Sequence, residues 1–147
     1  MFEADTGFVL PFYRTEGNSA AVDAIFMENP GHIGLSPLVR VEAASAIARW
    51  NRTGEITESQ ARRIDSALQA DIAADRYRHV PLPGDVFEQA LHWLSLRETS
   101  LRTLDALHMA AAAQQQACLL TADQKLAEAA LALEVACETL ESIADAR

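Results

Sequence analysis

The sequence predicts an α/β fold whose parallel sheet is covered on both faces by helices. Short apolar runs alternate with longer segments of helical periodicity, which is the pattern of parallel strands joined by crossover helices. The 147 residues, half of them hydrophobic, can bury a sizeable core. Because no run rich in proline, glycine and serine divides the chain, we expect one domain over residues 1–147.

Five short runs are interpreted as strands because each is apolar and lies between helical patterns or turn residues. They span residues 2–5, 32–35, 79–82, 117–121 and 134–137. Pro81 and Pro83 should end the third strand, since proline cannot donate to the ladder. The tail from residue 138 onwards is polar and receives no assignment.

Helix boundaries are predicted from capping residues and prolines. Pro11 should limit the regularity of the helix-like segment 6–17, because proline removes a backbone donor. Cap side chains mark the later helix starts, since their oxygens can accept from the first backbone N–H groups. The caps are Asn18 or Ser19, Ser36, Thr57 with Gln60, Asp85 with Glu88, Thr103 and Asp123. Helices over 36–52 and 57–76 should form an αα-hairpin.

The net charge of -9 disfavours sequence-independent binding of nucleic-acid phosphates through a broad basic surface. It suits a basic protein partner, and it leaves room for an enzyme that acts on nucleic acid through a bound cation. Cys118 and Cys137 lie in short apolar runs and fit no zinc motif, so we expect buried, reduced thiols. With neither a signal peptide nor an apolar run of membrane-spanning length, a cytoplasmic protein is expected.

Two acids lie in unusual settings. Asp105 begins a run that is almost entirely apolar, and Asp123 closes an apolar strand. A buried carboxylate needs a partner or a metal, because its transfer from water is unfavourable. Considered alone, each acid is interpreted as a helix cap, which the helix dipole also favours.

Asp5 and Glu42 share the placement of these two acids. Asp5 ends the first strand, and Glu42 lies in the first turns of the helix after the second strand. Ligands of open α/β sheets bind beyond the carboxyl ends of the strands, where the four acids would meet if strands one and four are neighbours. Their mutual repulsion calls for a cation, and an all-oxygen set favours Mg²⁺ or Mn²⁺ over zinc. Such ions activate water for phosphodiester cleavage.

Four blocks of the sequence carry a resemblance to a known family. They are Asp5-Thr6; Ser36-Pro37 with Glu42, Ala48-Arg49 and Arg52-x-Gly54-x-Ile56; Leu101-Arg-Thr-Leu-Asp105-Ala-Leu-His108; and Thr121-Ala-Asp123-x-x-Leu126 with Ala129-Ala130. In these blocks, which extend over nearly the whole chain, the sequence resembles the PIN-domain ribonucleases, in particular the toxins of VapBC-type toxin–antitoxin pairs.

This resemblance implies a doubly wound, mostly parallel five-stranded sheet in the order 3-2-1-4-5. It implies a Mg²⁺- or Mn²⁺-dependent endoribonuclease that cleaves RNA with metal-activated water. The partner it implies is a cognate antitoxin, basic and DNA-binding, and a homodimer is expected. The implied catalytic and metal-site acids are Asp5, Glu42, Asp105 and Asp123, with supporting hydroxyls from Thr6 and Thr121.

Two residues depart from the family's pattern. Glu3 replaces an apolar or aromatic residue in strand one, and Gly7 replaces a small hydroxyl residue. None of the four acids is missing, so we expect an active protein. The alternative is a PIN-like binding module with little nuclease activity, whose main role is complex formation with a basic antitoxin-like partner. A metal-dependent phosphatase would show an Asp-x-Asp after strand one, which this sequence lacks.

Several other residues admit two interpretations each. His108, one turn after an acid, is either a packed helix histidine or a contact to substrate. Trp50 and Trp93 lie on apolar stripes and are expected in the core or an interface. Three arginines either guide RNA phosphates or form a solvated helix face, namely Arg40, Arg49 and Arg52.

Overall fold

The computed structural model describes residues 1–14, 19–29 and 31–145. In these ranges five parallel strands form one sheet in the order β3-β2-β1-β4-β5. This confirms the predicted fold class and strand order. The strands are β1 (Phe2–Ala4), β2 (Ile33–Leu35), β3 (Arg78–His79), β4 (Cys118–Thr121) and β5 (Cys137–Thr139).

Helices cover both faces of this sheet. They are α1 (Thr6–Arg14), α2 (Ser19–Glu28), α3 (Pro37–Arg52), α4 (Glu58–Ala73), α5 (Gly84–Leu96), α6 (Thr103–Gln114), α7 (Gln124–Ala132) and α8 (Leu140–Asp145). None of the helices in the described ranges is both long and apolar enough to cross a bilayer.

The alternation of side chains along β1 and β4 divides the core into two parts. Ala4 and Leu120 pack with buried residues of α1 to α4 and α8 on one face. Leu119 packs with Met109 of α6 and with residues of α7 on the other face. Glu3 is the register partner of Leu119, so this buried acid lies on the face that α6 covers.

The capping box predicted at Thr57 is confirmed. The Thr57 hydroxyl accepts from the Gln60 amide at 3.2 Å, and the Gln60 side chain accepts from the Thr57 amide at 2.8 Å. Such a box satisfies two backbone donors that would otherwise lack partners. Pro37 opens α3 after Ser36, as predicted, although the Ser36 side chain makes no capping hydrogen bond. The second helix ends at Ala73, three residues earlier than expected.

Two predicted strands were displaced. The third was expected over 79–82 and is Arg78–His79, because the prolines that follow lack the donors a longer ladder needs. The fifth was expected over 134–137 and is Cys137–Thr139. Glu134 and Val135 instead complete the C-terminal end of α7: Glu134 has a φ of 58°, and the amide of Val135 donates to the Ala130 carbonyl at 2.8 Å.

Several predicted helix ends were also wrong. Asp85 lies inside the first turn of α5, which begins at Gly84, and Thr103 is the first helical residue of α6. The helix α1 continues through Pro11, because the burial of neighbouring residues such as Phe8 and Val9 outweighs the lost donor. Asn18 lies outside the described residues. Part of the polar tail, which the sequence left unassigned, forms α8.

The cysteines and tryptophans are all at least partly buried. Cys118 and Cys137 are free thiols, as expected, but both are only partly buried. Trp50 is in the core, and Trp93 is partly buried against two apolar clusters, as predicted.

Candidate active site

A cavity of about 440 Å³ lies beyond the carboxyl ends of β1 and β4. The structure brings all four predicted acids to it, because β1 and β4 are neighbours and α3 and α6 face each other across that edge. The lining residues are Asp5, Thr6, Gly7, Glu42, Asp105, His108, Ala122, Asp123 and Gln124. Thr121 lies just behind them and bonds to Asp5.

Asp5 is the most deeply fixed of the acids. Its amide donates to the Leu120 carbonyl at 3.0 Å, which ties the residue to β4. Its Oδ1 accepts from the Phe8 amide at 2.7 Å, and its Oδ2 accepts from the Thr121 hydroxyl. Burial raises the pKa of the Asp5 carboxyl, although these hydrogen bonds act against the rise. A cation beside this carboxylate would favour its ionised form.

Glu42 is held by a hydroxyl and an imidazole. Its Oε1 accepts from the Thr6 hydroxyl at 3.0 Å and bonds to Nε2 of His108. Burial opposes the ionisation of Glu42, but the bond to His108 and its charge outweigh burial and lower the pKa of the carboxyl. Burial likewise opposes the charging of His108, yet the bond to Glu42 and the charges of nearby acids raise the pKa of its imidazole.

Asp105 and Asp123 share an arginine at the mouth of the cavity. Asp105 Oδ2 accepts from the amide of Arg102 and lies 3.3 Å from the guanidinium Nε of the same residue. Asp123 Oδ1 caps α7 by accepting from the amides of Lys125, at 2.8 Å, and Leu126. Its Oδ2 is 3.8 Å from Nη2 of Arg102. The interpretation of Asp123 as a cap is thus confirmed, and one of its oxygens still faces the cavity mouth.

The donor set around the cavity suits a hard divalent cation. Its ligands would be carboxylate oxygens, which Mg²⁺ and Mn²⁺ prefer. As the side chains stand, no three acids, histidines or cysteines among the described residues converge on one point. Mg²⁺ does not require such convergence, because it usually keeps several waters and binds only one or two protein carboxylates directly. The residues therefore fit a partly hydrated ion.

His108 lines the cavity, and its charge acts on the buried Glu3 outside the cavity lining; neither residue was assigned to the site from the sequence. His108 is buried and bonded to Glu42, so the interpretation as a packed histidine was only half of its role. The sequence feature that could have placed His108 at the site is its spacing of one helical turn from Asp105. Glu3 is fully buried, and among the described residues neither of its oxygens has a hydrogen-bond partner. Burial raises the pKa of Glu3 to about 7, while the charges of His108 and Arg78 act to lower it.

The three arginines of α3 do not line the cavity. All are exposed, and Arg40 donates to the Gln69 side chain of α4 at 3.1 Å. Their placement favours the interpretation as a solvated helix face. Arg102, which the sequence had placed only within a motif, is the basic side chain that lies against the acids.

The sequence profile of the PIN domain matches residues 3–132. This chain is therefore a PIN-domain protein: it belongs to that family over most of its length. None of the curated protein sequences gives a significant match.

Solved structures share the fold at low sequence identity. FitAcB from Neisseria gonorrhoeae superposes with a TM-score of 0.75 at 18% identity, over 96% of this chain and 99% of that one. DNA-bound VapBC from Salmonella typhimurium gives 0.71 at 12%, over 95% and 97%. The Mycobacterium tuberculosis toxin VapC20, which cleaves the sarcin–ricin loop, gives 0.67 at 18%, over 88% and 95%. At these identities the likeness establishes the fold.

Proposed function

We propose that this protein is a Mg²⁺- or Mn²⁺-dependent endoribonuclease, the toxin of a type II toxin–antitoxin pair, with residues 1–147 acting as one PIN-like domain. Four carboxylates around one cavity at the carboxyl ends of β1 and β4 carry this proposal. The family membership and the fold shared with toxin–antitoxin structures support it.

The four acids would share the work of holding the cation. Asp5 and Asp105 would be its main ligands, while Glu42 and Asp123 would complete the set or orient water. When bound, the cation would supply activation of water and stabilisation of the leaving oxygen in phosphodiester cleavage.

The surrounding residues would keep these carboxylates oriented. Thr121 and the Phe8 amide hold the two oxygens of Asp5, so this side chain enters the reaction already in place. Thr6 and His108 both hold the same oxygen of Glu42, which leaves Oε2 for water or the ion. Such support reduces the reorganisation that the site needs on binding a cation and substrate.

RNA would reach this acidic site through local positive charge. The net charge of -9 argues against a broad basic surface, so a few cations at the cavity mouth must meet the phosphates. Arg102 is suited to this because its side chain is 79% exposed beside Asp105 and Asp123. With a cation on the acids, its guanidinium would be free to bind a phosphate oxygen.

We also propose a basic, DNA-binding antitoxin as the partner, with homodimerisation and a cytoplasmic location. Structural neighbours include FitAB bound to a DNA fragment and DNA-bound VapBC, which supports a DNA-binding partner. The acidic surface suits a basic partner. Phe87 and Leu91, one turn apart on α5, are each at least half exposed and offer an apolar contact for a second subunit.

One observation favours a second candidate, the PIN-like binding module. In the described structure the acids are engaged by groups of the chain itself, including the arginine between Asp105 and Asp123. A protein whose acids stay closed in this way would bind its partner without cleaving RNA. It would co-purify with a basic protein and show no cation-dependent cleavage.

RNA cleavage by matched variants separates the two candidates. Single-stranded RNA would be incubated with wild type, Asp5→Asn, Asp105→Asn and Asp85→Asn, in Mg²⁺, in Mn²⁺ and in EDTA. Asp85 is the control because it lies in the first turn of α5, as Asp105 does in α6, but is exposed and outside the cavity. We expect cleavage by wild type and Asp85→Asn only, and none in EDTA. Undiminished cleavage by both cavity variants would rule the mechanism out.

A further inference from the structure

A row of register partners crosses the sheet beneath α6, and it contains two charged residues. Glu3 of β1 pairs with Gly34 of β2, and Gly34 pairs with Arg78 of β3. Register partners in a parallel sheet present their side chains on the same face. On the other side Glu3 pairs with Leu119, which packs against α6. The acid and the arginine are thus on one face, separated by a residue without a side chain.

Gly34 leaves the space through which Arg78 reaches toward Glu3. A Cβ atom at position 34 would lie 2.8 Å from Nη2 of Arg78 and 2.5 Å from a methyl group of Val80. Any other residue at position 34 would therefore collide with the guanidinium where it lies. The positive charges that act on the Glu3 carboxylate are those of His108 and Arg78.

The helix α6 and its C-terminal cap each contribute a residue that acts on a charged member of this row. In the middle of α6, His108 bonds to Glu42 of α3 through Nε2, and its charge acts on Glu3. At its end, the side chain of Gln115 accepts from Nη1 of Arg78 at 3.2 Å. The carbonyl end of the helix also favours the guanidinium. Arg78 therefore holds the C-terminal end of α6 against the sheet, about two turns from His108, whose charge acts on Glu3.

Of the six buried side-chain nitrogen and oxygen atoms without a hydrogen-bond partner among the described residues, five belong to Glu3, Arg78 and His108, and the sixth is Ser36 Oγ. Both Glu3 oxygens, Nδ1 of His108, and Nε and Nη2 of Arg78 are buried without a hydrogen-bond partner among the described residues. Buried charged groups are unfavourable unless they balance one another. Here the charges of Arg78 and His108 stabilise the Glu3 carboxylate without direct hydrogen bonds, and the space at Gly34 lets Arg78 act on it. Removal of one of the three charges should therefore leave the others less well compensated.

We propose that Glu3 and Arg78 are positioning residues of the active site, with Glu3 the shared counter-ion of Arg78 and His108. The row sets where α6 and its imidazole lie, and His108 in turn sets the orientation of Glu42. Neither Glu3 nor Arg78 lines the cavity, so both act through His108. This inference rests on the proposed cation site for its metal-binding consequence.

A double-mutant cycle with two further readouts tests the proposal. Glu3→Gln, Arg78→Met and the double variant would be compared with wild type in urea unfolding, in Mn²⁺ titration calorimetry and in the ring ¹⁵N resonances of His108. Leu119→Val is the matched control, because Leu119 is the buried, uncharged neighbour of Glu3 in the same row. It should lower stability and leave both the Mn²⁺ dissociation constant and the His108 resonances unchanged.

We expect Arg78→Met to lower stability more in wild type than in Glu3→Gln, because only wild type is left with a buried carboxylate that has lost its counter-ion, so the double variant should be more stable than the sum of the two changes predicts. All three should show shifted His108 resonances and a Mn²⁺ dissociation constant about tenfold higher, as for residues that orient metal ligands. A double variant that regains stability, binds Mn²⁺ like wild type and keeps its His108 resonances would show a purely structural charge pair and overturn the proposal. Additive losses in the cycle would overturn it as well.

Failure of the proposed function gives a different result. If wild type binds no Mn²⁺, the proposed cation site is contradicted. The positioning role of Glu3 and Arg78 is then tested by the double-mutant cycle and the His108 resonances alone. Unchanged resonances in Glu3→Gln would in that case overturn the positioning role.

Discussion

Nε2 of His108 in α6 bonds to Oε1 of Glu42 in α3, and this contact joins the two helices across the cavity. The imidazole is 3% exposed, whereas the Glu42 side chain is 23% exposed and reaches the cavity. His108 is therefore a buried residue that supports the fold, and it holds Glu42, whose side chain reaches the candidate site.

Replacing His108 with Gln should weaken the fold and change its pH dependence. Loss of a hydrogen bond to a charged group should destabilise the metal-free protein by about 2 kcal/mol. The raised pKa of His108 gives stability that is complete below the unfolded value of about 6.5 and is lost as pH rises through the folded value. The lowered pKa of Glu42 gives stability that is lost as pH falls through its folded value.

Urea unfolding of metal-free wild type and His108→Gln over pH 4 to 9 measures both effects. The difference between the two proteins should be largest between the folded pKa values of Glu42 and His108 and should shrink on either side. A difference independent of pH would show that His108 contributes packing alone.

Glu3 should make the metal-free protein more stable in acid. Its pKa rises from 4.5 to about 7 on folding, so the folded state holds this proton more tightly. The contribution of Glu3 to the free energy of unfolding is fully present below pH 4.5. It declines by about 3 kcal/mol in all as pH rises to about 7. In Glu3→Gln this part of the pH dependence should be absent. Urea midpoints at pH 4.5 and 7 for both proteins check it, and equal slopes would contradict the raised value.

Removing the guanidinium of Arg102 should separate cation binding from RNA binding. Arg102→Ala takes away a competitor for Asp105 and Asp123, so Mn²⁺ should bind about twofold to fivefold more tightly, as an exposed ion pair allows. Cleavage should nevertheless fall, because a phosphate contact is lost. Arg62→Ala is the control: Arg62 is an equally exposed arginine that pairs with Glu58 on α4. Weaker Mn²⁺ binding by Arg102→Ala alone would contradict the role of competitor.

The capping box at Thr57 should matter for stability and not for activity. Thr57→Ala removes the acceptor for the Gln60 amide and should destabilise the protein by about 1 kcal/mol. Cleavage per folded molecule should be unchanged, since none of the residues that line the cavity belongs to α4. Thermal unfolding and a cleavage assay below the transition test both parts, and a loss of activity would indicate coupling that the structure does not explain.

Most of the fold could be predicted because its signals are local. Strands separated by helical patterns and a capping box at Thr57 were enough for the fold class and the αα-hairpin, and the family resemblance added the strand order. The boundaries of β5 could not be predicted, because Glu134 and Val135 look strand-like in sequence but complete the end of α7. Their roles depend on backbone hydrogen bonds that hydrophobicity does not encode.

The candidate site divides in the same way. The sequence placed the four acids at strand ends and helix starts, and the structure brings them to one cavity. It could not reveal the contact of His108 with Glu42, which joins residues 66 positions apart. Nor could the sequence reveal that Glu3 and Gly34 are register partners, since strand register is a property of the whole sheet.

The measurement that tests the central claim most directly compares Mn²⁺ binding with Mn²⁺-dependent RNA cleavage in wild type and Asp123→Asn. If the acids hold the catalytic cation, the Mn²⁺ concentration for half-maximal cleavage should match the dissociation constant from calorimetry. Asp123→Asn should raise both by the same factor, because it removes one charge of the set. Cleavage that persists in EDTA, or a half-maximal concentration that does not follow the dissociation constant, would contradict the claim.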